Sequence, residues 1–203
     1  MKLFMDSSTN YLFLALYDDR TNDVLDSLIR NGKNDHSETL IDYLKLLLDK
    51  NHLNCDDITD VFVGRGPGSY TGVRISGTIA KVLSLVKEKH LYSFSTLDLL
   101  LTSKIDEEGT YLAKIIAKKN YSYYKIGTIQ NGKILFQTSD EFGPDELLLP
   151  YGDLEKEKHF IEVNDEVFTK VSTMVKAIMK NKLYQKEDVF TYVPNYLRSE
   201  ING

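Results

Sequence analysis

Apolar and polar residues form short alternating blocks at the start of the chain. A first apolar block at 3–5 ends at the turn formers of 6–10, and two more apolar blocks cover 11–17 and 24–30. Blocks of β-forming residues separated by Asp, Asn, Ser and Thr are typical of strands joined by tight turns. The pattern therefore predicts a three-stranded antiparallel meander.

The spacing of apolar residues then changes from that of a strand to that of a helix. Asp35 is a suitable N-cap for this helix, and Glu38 stands three residues later as its reciprocal partner. Tyr43 and Leu46 add apolar surface outside the main stripe, so we expect the helix to be apolar on two sides. The main stripe follows helical periodicity and consists of Leu40, Ile41, Leu44, Leu47 and Leu48.

The remainder of the first half alternates strands and helices. A short apolar strand at 61–63 runs into the glycine-rich segment 64–72, and an apolar helix is predicted at 73–87. A strand at 92–95 follows, and Thr96 can cap a further short helix. This order indicates a mixed sheet with helices packed on it.

The acidic segment 106–109 is the predicted boundary between two lobes, residues 1–105 and a smaller lobe, residues 106–203. Within the second lobe, Asn131-Gly132 predicts a hairpin turn because both residues tolerate a positive φ. The other expected elements are strands at 111–117, 123–129, 133–138 and 159–163, an acidic loop at 139–157, and a final helix capped by Asn164. Both halves begin with strands and continue into helices, so the predicted class is α/β with two related lobes.

Four glycines and a proline in residues 64–72 predict a strand-to-helix turn of special geometry. Glycine permits positive φ and close backbone approach, and amides before a helix N-terminus can bind an anion. The segment matches neither the phosphate-loop nor the dinucleotide-binding spacing. Two interpretations stay open: a rigid connection at an interface, or a phosphate or nucleotide contact that involves Asp6, Gly66, Gly68, Ser69 and Arg74.

Small residues recur every fourth position on the helix after the glycine-rich segment, and they lie on one face. Such a stripe lets another helix approach closely. Together with Tyr43 and Leu46 of the preceding helix, this face is a candidate partner interface, and internal core is the alternative. The candidate interface residues on the second helix are Gly72, Val73, Ser76, Ile79, Ala80, Leu83 and Ser84.

Composition and the absence of motifs narrow the function classes. The formal net charge of −5 disfavours autonomous binding of nucleic acid. Apolar runs are too short for a membrane span, and the single Cys55 favours a reducing, cytoplasmic location. The sequence carries no spaced histidine pair for a metal and no serine-hydrolase elbow. Asp6 is the one lone catalytic candidate, as a ligand of hydrated Mg²⁺, and the alternative is a turn-closing residue.

Four sequence segments together resemble one family. The segment 64–74, Gly-Arg-Gly-Pro-Gly-Ser-Tyr-Thr-Gly-Val-Arg, is nearly the G-x-G-P-G-S-Y-T-G-x-R signature of the TsaB (formerly YeaZ) family. The opening 4–9 is similar to its D-T-S-T start, and 36–38 matches its H-S-E. Residues 194–198 are similar to its P-x-Y-L-R tail. The similarity is strong over residues 1 to 100 and weak beyond, apart from that tail.

The resemblance implies an actin-like ATPase fold with two ribonuclease-H-like lobes, each a mixed sheet flanked by helices. It implies a non-catalytic scaffold that pairs with the catalytic relative TsaD, with the ATPase TsaE joining the pair. The complex transfers a threonylcarbamoyl group to N6 of the adenine beside the anticodon of tRNAs that read ANN codons. The chain alone would bind no cofactor; the complex uses ATP, Mg²⁺ and a metal held by TsaD.

The resemblance further implies that the pairing surface is the two helices after the H-S-E and glycine-rich motifs, and that contact with tRNA is indirect. Three departures stand out: the opening hairpin lacks glycine, Ala117-Lys118-Lys119 replaces the usual D-A-R, and the second lobe is short. Two alternatives remain: an ATP-binding kinase-like or glycoprotease-like enzyme acting alone, and a homodimeric binding module.

Overall fold

The computed structural model describes residues 1–32, 35–86, 88–151 and 159–197. A six-stranded sheet has the order β11-β5-β4-β1-β2-β3. Strands β1 to β3 are antiparallel neighbours, which confirms the predicted meander, and β4 and β5 run parallel to β1. Strand bounds are β1 Lys2–Asp6, β2 Tyr11–Asp18, β3 Asp23–Asn31, β4 Asp60–Gly64, β5 His90–Phe94 and β11 Gln185–Glu187.

The second sheet contains five strands, with β10-β6-β7-β8 in order and β9 paired to β7. The register between β7 and β8 closes at Gln130 and Lys133, so the hairpin predicted at Asn131-Gly132 is confirmed. Both residues have positive φ, as that turn requires. The strands are β6 Gly109–Lys118, β7 Tyr121–Gln130, β8 Lys133–Gln137, β9 Glu141–Pro144 and β10 Phe160–Glu162.

Four α-helices flank the sheets in the part of the chain that the structure describes, which confirms the predicted α/β class. They are α1 His36–Lys50, α2 Tyr70–Val86, α3 Thr96–Thr102 and α4 Val171–Asn181. The helix predicted after Asn164 begins with a short 3-10 turn, Val167–Lys170, and the side-chain oxygen of Asn164 accepts a hydrogen bond from the Val167 amide at 3.0 Å. In the described part of the chain, no helix is long and apolar enough to cross a membrane.

Strand β2 lies between two hydrophobic cores, and its sequence shows why. Every residue of β2 is buried, and successive side chains point to opposite faces of a strand. The leucines at 12, 14 and 16 enter the core beneath α1 and α2. The residues at 11, 13, 15 and 17 enter a more aromatic core beneath α4. Central strands covered on both faces are apolar at every position for this reason.

Two elements differ from the sequence predictions. The loop expected at 139–157 contains strand β9 and a 3-10 helix, Asp145–Tyr151; its remaining part lies outside the described residues. Strand β11 was not predicted: after α4 the chain returns to the first sheet, where Gln185–Glu187 pairs with β5. Residues 192–197 continue along α2, where Tyr192 and Pro194 lie beside Gly77, and Leu197 packs against the core between α3 and the second sheet.

Candidate functional site

The glycine-rich segment forms the connection between β4 and α2 and packs against the turn after β1. Gly66 has φ +89°, a conformation that favours glycine. A side chain on Gly68 would place its Cβ 2.1 Å from the Ser8 carbonyl oxygen, so only glycine fits there. The glycines of the signature are therefore explained by close packing of two backbone segments.

Backbone groups of this segment are bonded within the chain. The Ser69 amide donates to the Ser8 carbonyl at 2.6 Å, and the Arg65 amide donates to the Phe94 carbonyl at 2.9 Å. The Gly66 carbonyl accepts from the Thr96 amide at 2.8 Å. These bonds tie three connections at the same end of the first sheet into one rigid assembly.

Asp6 lies inside this assembly. Its side chain is 3% exposed and contacts Gly64, where a Cβ would lie 2.2 Å from the Asp6 carboxyl carbon. The carboxylate accepts hydrogen bonds from the Ser8 amide at 2.8 Å, the Ser8 hydroxyl at 2.5 Å and the Thr96 hydroxyl at 2.7 Å. Burial raises the pKa of Asp6, while these hydrogen bonds act in the opposite direction. The Asp6 carboxylate therefore closes the turn after β1 and is bonded to Thr96, the first residue of α3.

A cleft of about 660 Å³ separates this assembly from the second sheet. One wall consists of residues 8–10, His36 and the start of α2, and the other of β6 residues 114–117, with Tyr123 and β10. His36 is buried, and its Nε2 lies 3.1 Å from the Thr9 carbonyl oxygen. Gly68 and Ser69, two of the candidates for a phosphate contact, line this cleft. Asp6, Gly66 and Arg74 are not among the residues that line it.

The small-residue stripe of α2 packs onto the chain's own sheet. Ser76 and Ala80 are 0% exposed, and Ser84 is 3% exposed. Gly72 contacts the Ser7 carbonyl so closely that a Cβ would lie 1.9 Å from that oxygen. The expectation that this stripe receives a foreign helix therefore does not fit the structure. The stripe does permit close approach, and the neighbour is the sheet of the same chain; Val73 is buried with it.

A different face of α2 is exposed in the second half of the helix, whereas its two isoleucines pack against the core beneath α1 and α2. We call Ile75, Ile79, Val82 and Val86 the α2 crest; Val82 is 53% and Val86 69% exposed, and the two isoleucines are partly buried. The crest lies on the side of the helix opposite to Ala80 and Ser84. Leu83 is partly buried toward α1, where it lines a small cavity with Leu48.

The two α1 residues expected to extend this surface lie on the other side of α1. The Arg30 guanidinium of β3 lies 5.4 Å from the Tyr43 ring centroid, so Tyr43 faces β3. Leu46, 54% exposed, stands three residues later and projects to the same side. Ile41, 61% exposed, lies two turns before Leu48 and therefore on the α2 side. Ile41 is the α1 residue beside the crest.

The N-terminus of α1 is stabilised differently from the prediction. Asp35 occupies the N-cap position, but its carboxylate makes no capping bond. It instead accepts hydrogen bonds from the Arg30 guanidinium, at 2.6 Å to NH1 and 2.5 Å to NH2. An ion pair to the neighbouring strand has replaced the local cap.

Arg74 and the tail both contact Tyr70, which is one of the residues that line the cleft. The Arg74 guanidinium lies 4.9 Å from the Tyr70 ring centroid and donates to the Tyr70 hydroxyl at 3.0 Å. The ring of Tyr196 also packs against the ring of Tyr70, with ring centroids 5.1 Å apart. The Asn195 amide donates to the Arg65 carbonyl at 2.8 Å, and Leu197 packs against the core between α3 and the second sheet. The matching tail motif is thus structural up to Leu197; Arg198 lies outside the described residues.

A buried charge cluster, missed from the sequence, joins α3, β7 and the residue before β9. The Lys125 ammonium contacts Asp98 Oδ1 at 2.6 Å and Asp140 Oδ1 at 2.9 Å, with all three side chains at most 7% exposed. Asp140 also accepts from Ser95 at 2.9 Å. No sequence signal marks this cluster, because its members come from α3, β7 and a loop. Within the described ranges, no group of three His, Cys, Asp or Glu could hold a metal ion.

Comparisons with known proteins agree with the motifs. A family model described as TsaD, tRNA N6-adenosine threonylcarbamoyltransferase, matches residues 24–140, more than half of the chain. The MG208 homologue of Mycoplasma pneumoniae is 29% identical over 142 residues, 70% of each chain. The tRNA threonylcarbamoyladenosine biosynthesis protein TsaB of Bacillus subtilis is 29% identical over 130 residues, 64% of this chain and 56% of that protein.

The fold is shared with a solved structure. YeaZ from Pseudomonas aeruginosa superposes with a TM-score of 0.73 at 19% identity, over 97% of this chain and 99% of that one. Two mixed sheets flanked by helices, the match to the TsaD family model and this likeness agree with the actin-like fold expected from the sequence.

Proposed function

The chain belongs to the family described as TsaD, tRNA N6-adenosine threonylcarbamoyltransferase, as a member of its TsaB (YeaZ) group, and from this premise we propose that it takes part in threonylcarbamoyladenosine synthesis on tRNA. Its role in this proposal is that of a non-catalytic scaffold. It binds a TsaD-type catalytic subunit, and a TsaE-type ATPase joins the pair. The group transferred is a threonylcarbamoyl group, and the acceptor is N6 of the adenine beside the anticodon.

The α2 crest is the observation that carries this proposal. Its four residues are spaced by four, three and four positions, the spacing of a seam between packed helices. Over this length the crest extends about 16 Å, at 1.5 Å per residue. Exposed apolar side chains grouped on one face of a globular protein, here Val82 and Val86, are typical of a partner-binding site. The crest fits an apolar helix of the partner, with Ile41 at its α1 edge.

The state of Asp6 supports the non-catalytic part of the proposal. Its carboxylate accepts three hydrogen bonds from Ser8 and Thr96, and its side chain is almost completely buried. A carboxylate in this state is engaged in closing a turn. Using it to hold a hydrated cation would require breaking those bonds in a buried position, at about 1–3 kcal/mol for each donor left unpaired.

A charge on the crest tests the scaffold role. Val82→Asp places a carboxylate in the centre of the proposed seam, while Leu25→Asp makes the same kind of change on β3, where Leu25 is 49% exposed. We expect Val82→Asp to weaken binding of the catalytic subunit, measured by calorimetry, by about a hundredfold, since burying an unpaired charge costs several kcal/mol. Leu25→Asp should bind as the unchanged chain does. Equal affinity of both variants would refute the proposed surface.

Reconstitution tests the activity itself. The catalytic subunit, the ATPase, ATP, Mg²⁺ and unmodified tRNA are incubated with and without this chain, and threonylcarbamoyladenosine is quantified by mass spectrometry of nucleosides. We expect modification only with the chain present, and loss of it with Val82→Asp. Modification at the same rate without the chain would refute a scaffold role.

The cleft favours a second candidate function, nucleotide binding by the isolated chain. It lies beside the glycine-rich segment and has room for a ligand at about 660 Å³. Calorimetry with ATP and Mg²⁺ on the isolated chain distinguishes this candidate from the scaffold. Binding that is weakened by Lys114→Ala, a change in the cleft wall that leaves the packing of Gly68 on Ser8 intact, would favour a kinase-like nucleotide site. A flat titration would leave the scaffold role as the better explanation.

A further inference from the structure

The tail motif has no part in the proposed scaffold role, and its described residues contact both sides of the cleft. The Asn195 amide donates to the Arg65 carbonyl at 2.8 Å, and the ring of Tyr196 packs on that of Tyr70 with centroids 5.1 Å apart. Tyr70 lines the cleft at the start of α2. The next residue, Leu197, packs against the core between α3 and the second sheet. Consecutive residues therefore connect one cleft wall with the core behind the other.

On the second-sheet side, the tail is held by an apolar and a polar contact. The core against which Leu197 packs contains Ile115 and Tyr123, and both of these residues also line the cleft. The Asn195 side-chain amide donates to Asp140 Oδ2 at 3.5 Å, and Asp140 is a member of the buried charge cluster. The tail is thus bound to the wall that lies opposite α2.

A second anchor lies five residues before Leu197. Tyr192 is 4% exposed and packs in the core beneath α1 and α2, and its carbonyl accepts a hydrogen bond from the Lys81 ammonium at 3.3 Å. Pro194 lies beside Gly77 of the same helix. Five residues of fully extended chain span at most about 17 Å. As long as both anchors hold, this length limits how far α2 can move away from the second sheet.

We propose that residues 192–197, which we call the strap, set the separation of the two cleft walls. The cleft opens beside α2 when the C-terminal end of the strap leaves its contacts, and it closes when they form again. The anchors are unequal, because Tyr192 is buried whereas Tyr196 and Leu197 are only partly buried. Segments with few buried apolar contacts open first in a folded protein. The inference goes beyond the proposed function, since it concerns a motion of this chain alone and does not depend on which partner binds α2.

Two contacts outside the strap show where the chain stays closed. The Thr96 amide of α3 donates to the Gly66 carbonyl at 2.8 Å, and the Tyr11 hydroxyl donates to Asp165 Oδ1 at 2.6 Å. Neither bond involves the strap, so both stay in place when it is released. Release therefore changes the separation of the walls at Tyr70 while the two sheets stay connected.

Spin labels on the two sides of the cleft measure this separation. Thr71 at the start of α2 and Lys119 in the turn after β6 are exposed, so Thr71→Cys and Lys119→Cys accept labels without disturbing the core, and Cys55→Ser removes the native thiol. Double electron–electron resonance then gives the distribution of distances between the labels in the full chain. The labelled chain with an intact strap is the reference for every variant.

The strap variant is Tyr196→Ala with Leu197→Ala. The matched control is Phe190→Ala with Val193→Ala, whose native side chains are 77% and 71% exposed in the same C-terminal segment. Loss of an aromatic pair and of a packed leucine corresponds to about a hundredfold rise in the ratio of open to closed molecules. We expect the strap variant to show a longer and broader distance distribution, and the control to match the reference.

An unchanged distance distribution in the strap variant overturns the inference, because the walls then keep their separation without the strap. An equal change in the control overturns it as well, since the two exposed side chains are not among the residues that line the cleft. If the strap variant does not unfold cooperatively, Tyr196→Ala alone replaces it, with Tyr196→Phe as the control that keeps the ring, and the same two results decide.

Discussion

Two glycines on α2 should respond in opposite ways to the same substitution. Gly72 and Gly77 are five residues apart on one helix, and both are buried. A Cβ on Gly72 would lie 1.9 Å from the Ser7 carbonyl oxygen, which belongs to the backbone and cannot rotate away. A Cβ on Gly77 would lie 3.4 Å from its nearest neighbour, a carbon of the Tyr192 ring, which is ordinary contact.

The expected magnitudes follow from these contacts. Gly72→Ala forces the first turn of α2 away from β1, at about 1–3 kcal/mol for overpacking. The hydrogen bond from the Ser7 hydroxyl to the Gly72 carbonyl, 2.7 Å long, is weakened by the same shift and is worth about 1 kcal/mol. Helix propensity offsets up to about 1 kcal/mol. We expect a net loss of about 2 kcal/mol, whereas Gly77→Ala gains about 0.5–1 kcal/mol from propensity alone.

Urea denaturation and calorimetry of the two variants measure the difference. For a chain of this length, each kcal/mol corresponds to about 2–4 °C in Tm. Gly72→Ala should therefore melt roughly 4–8 °C below the unchanged chain, and Gly77→Ala about 1–4 °C above it. A Gly72→Ala chain as stable as Gly77→Ala would refute the close packing of α2 on the Ser7 carbonyl.

Two further predictions concern buried and partly buried charges. Lys125→Met leaves Asp98 and Asp140 facing each other without the ammonium that they share, so the unfolding free energy from urea titration should fall by about 3–5 kcal/mol; a loss under about 1 kcal/mol would contradict the buried cluster. Burial pushes the pKa of Asp60 up, but hydrogen bonds from Thr59 and Lys2 hold it below its usual value. This contribution to stability is therefore present above the unfolded pKa of about 3.9 and lost as pH falls through the lower folded pKa. The Tm difference between the unchanged chain and Asp60→Asn should shrink from pH 7 to pH 3, and a constant difference would refute it.

Local patterns predicted the elements that are set by neighbouring residues. The meander, α1 and the Asn131-Gly132 hairpin depend on periodicity and turn chemistry within a few residues, and all three are present. Strands β9 and β11 escaped prediction because both are short: β11 is Gln-Lys-Glu, without an apolar residue, and β9 is Glu-Phe-Gly-Pro, whose Gly and Pro are typical of turns. They are strands because β7 and β5 offer unpaired edges.

The candidate site shows the same division. The glycine-rich motif at 64–72 was enough to locate the rigid assembly, because positions where the backbone packs closely require glycine and can be recognised in the sequence. The partner surface could not be located in this way, because the small-residue stripe of α2 fits contact with a partner and contact with the chain's own sheet equally well. Periodicity gives the faces of a helix but not what covers each one, so Ser76 and Ala80 could not be separated from Val82 and Val86.

By itself the sequence determined the fold class, the glycine-built turn and the family, because these depend on local spacing and on residues that no other type can replace. Only the tertiary structure decided which helix face is buried, that Asp6 closes a turn, and that the chain's end returns along α2 to expose Phe190. The physical reason is that a side chain is buried by residues that lie far from it in the sequence. Ala80 is buried because the strands of the first sheet lie against it, and no pattern within α2 contains that information.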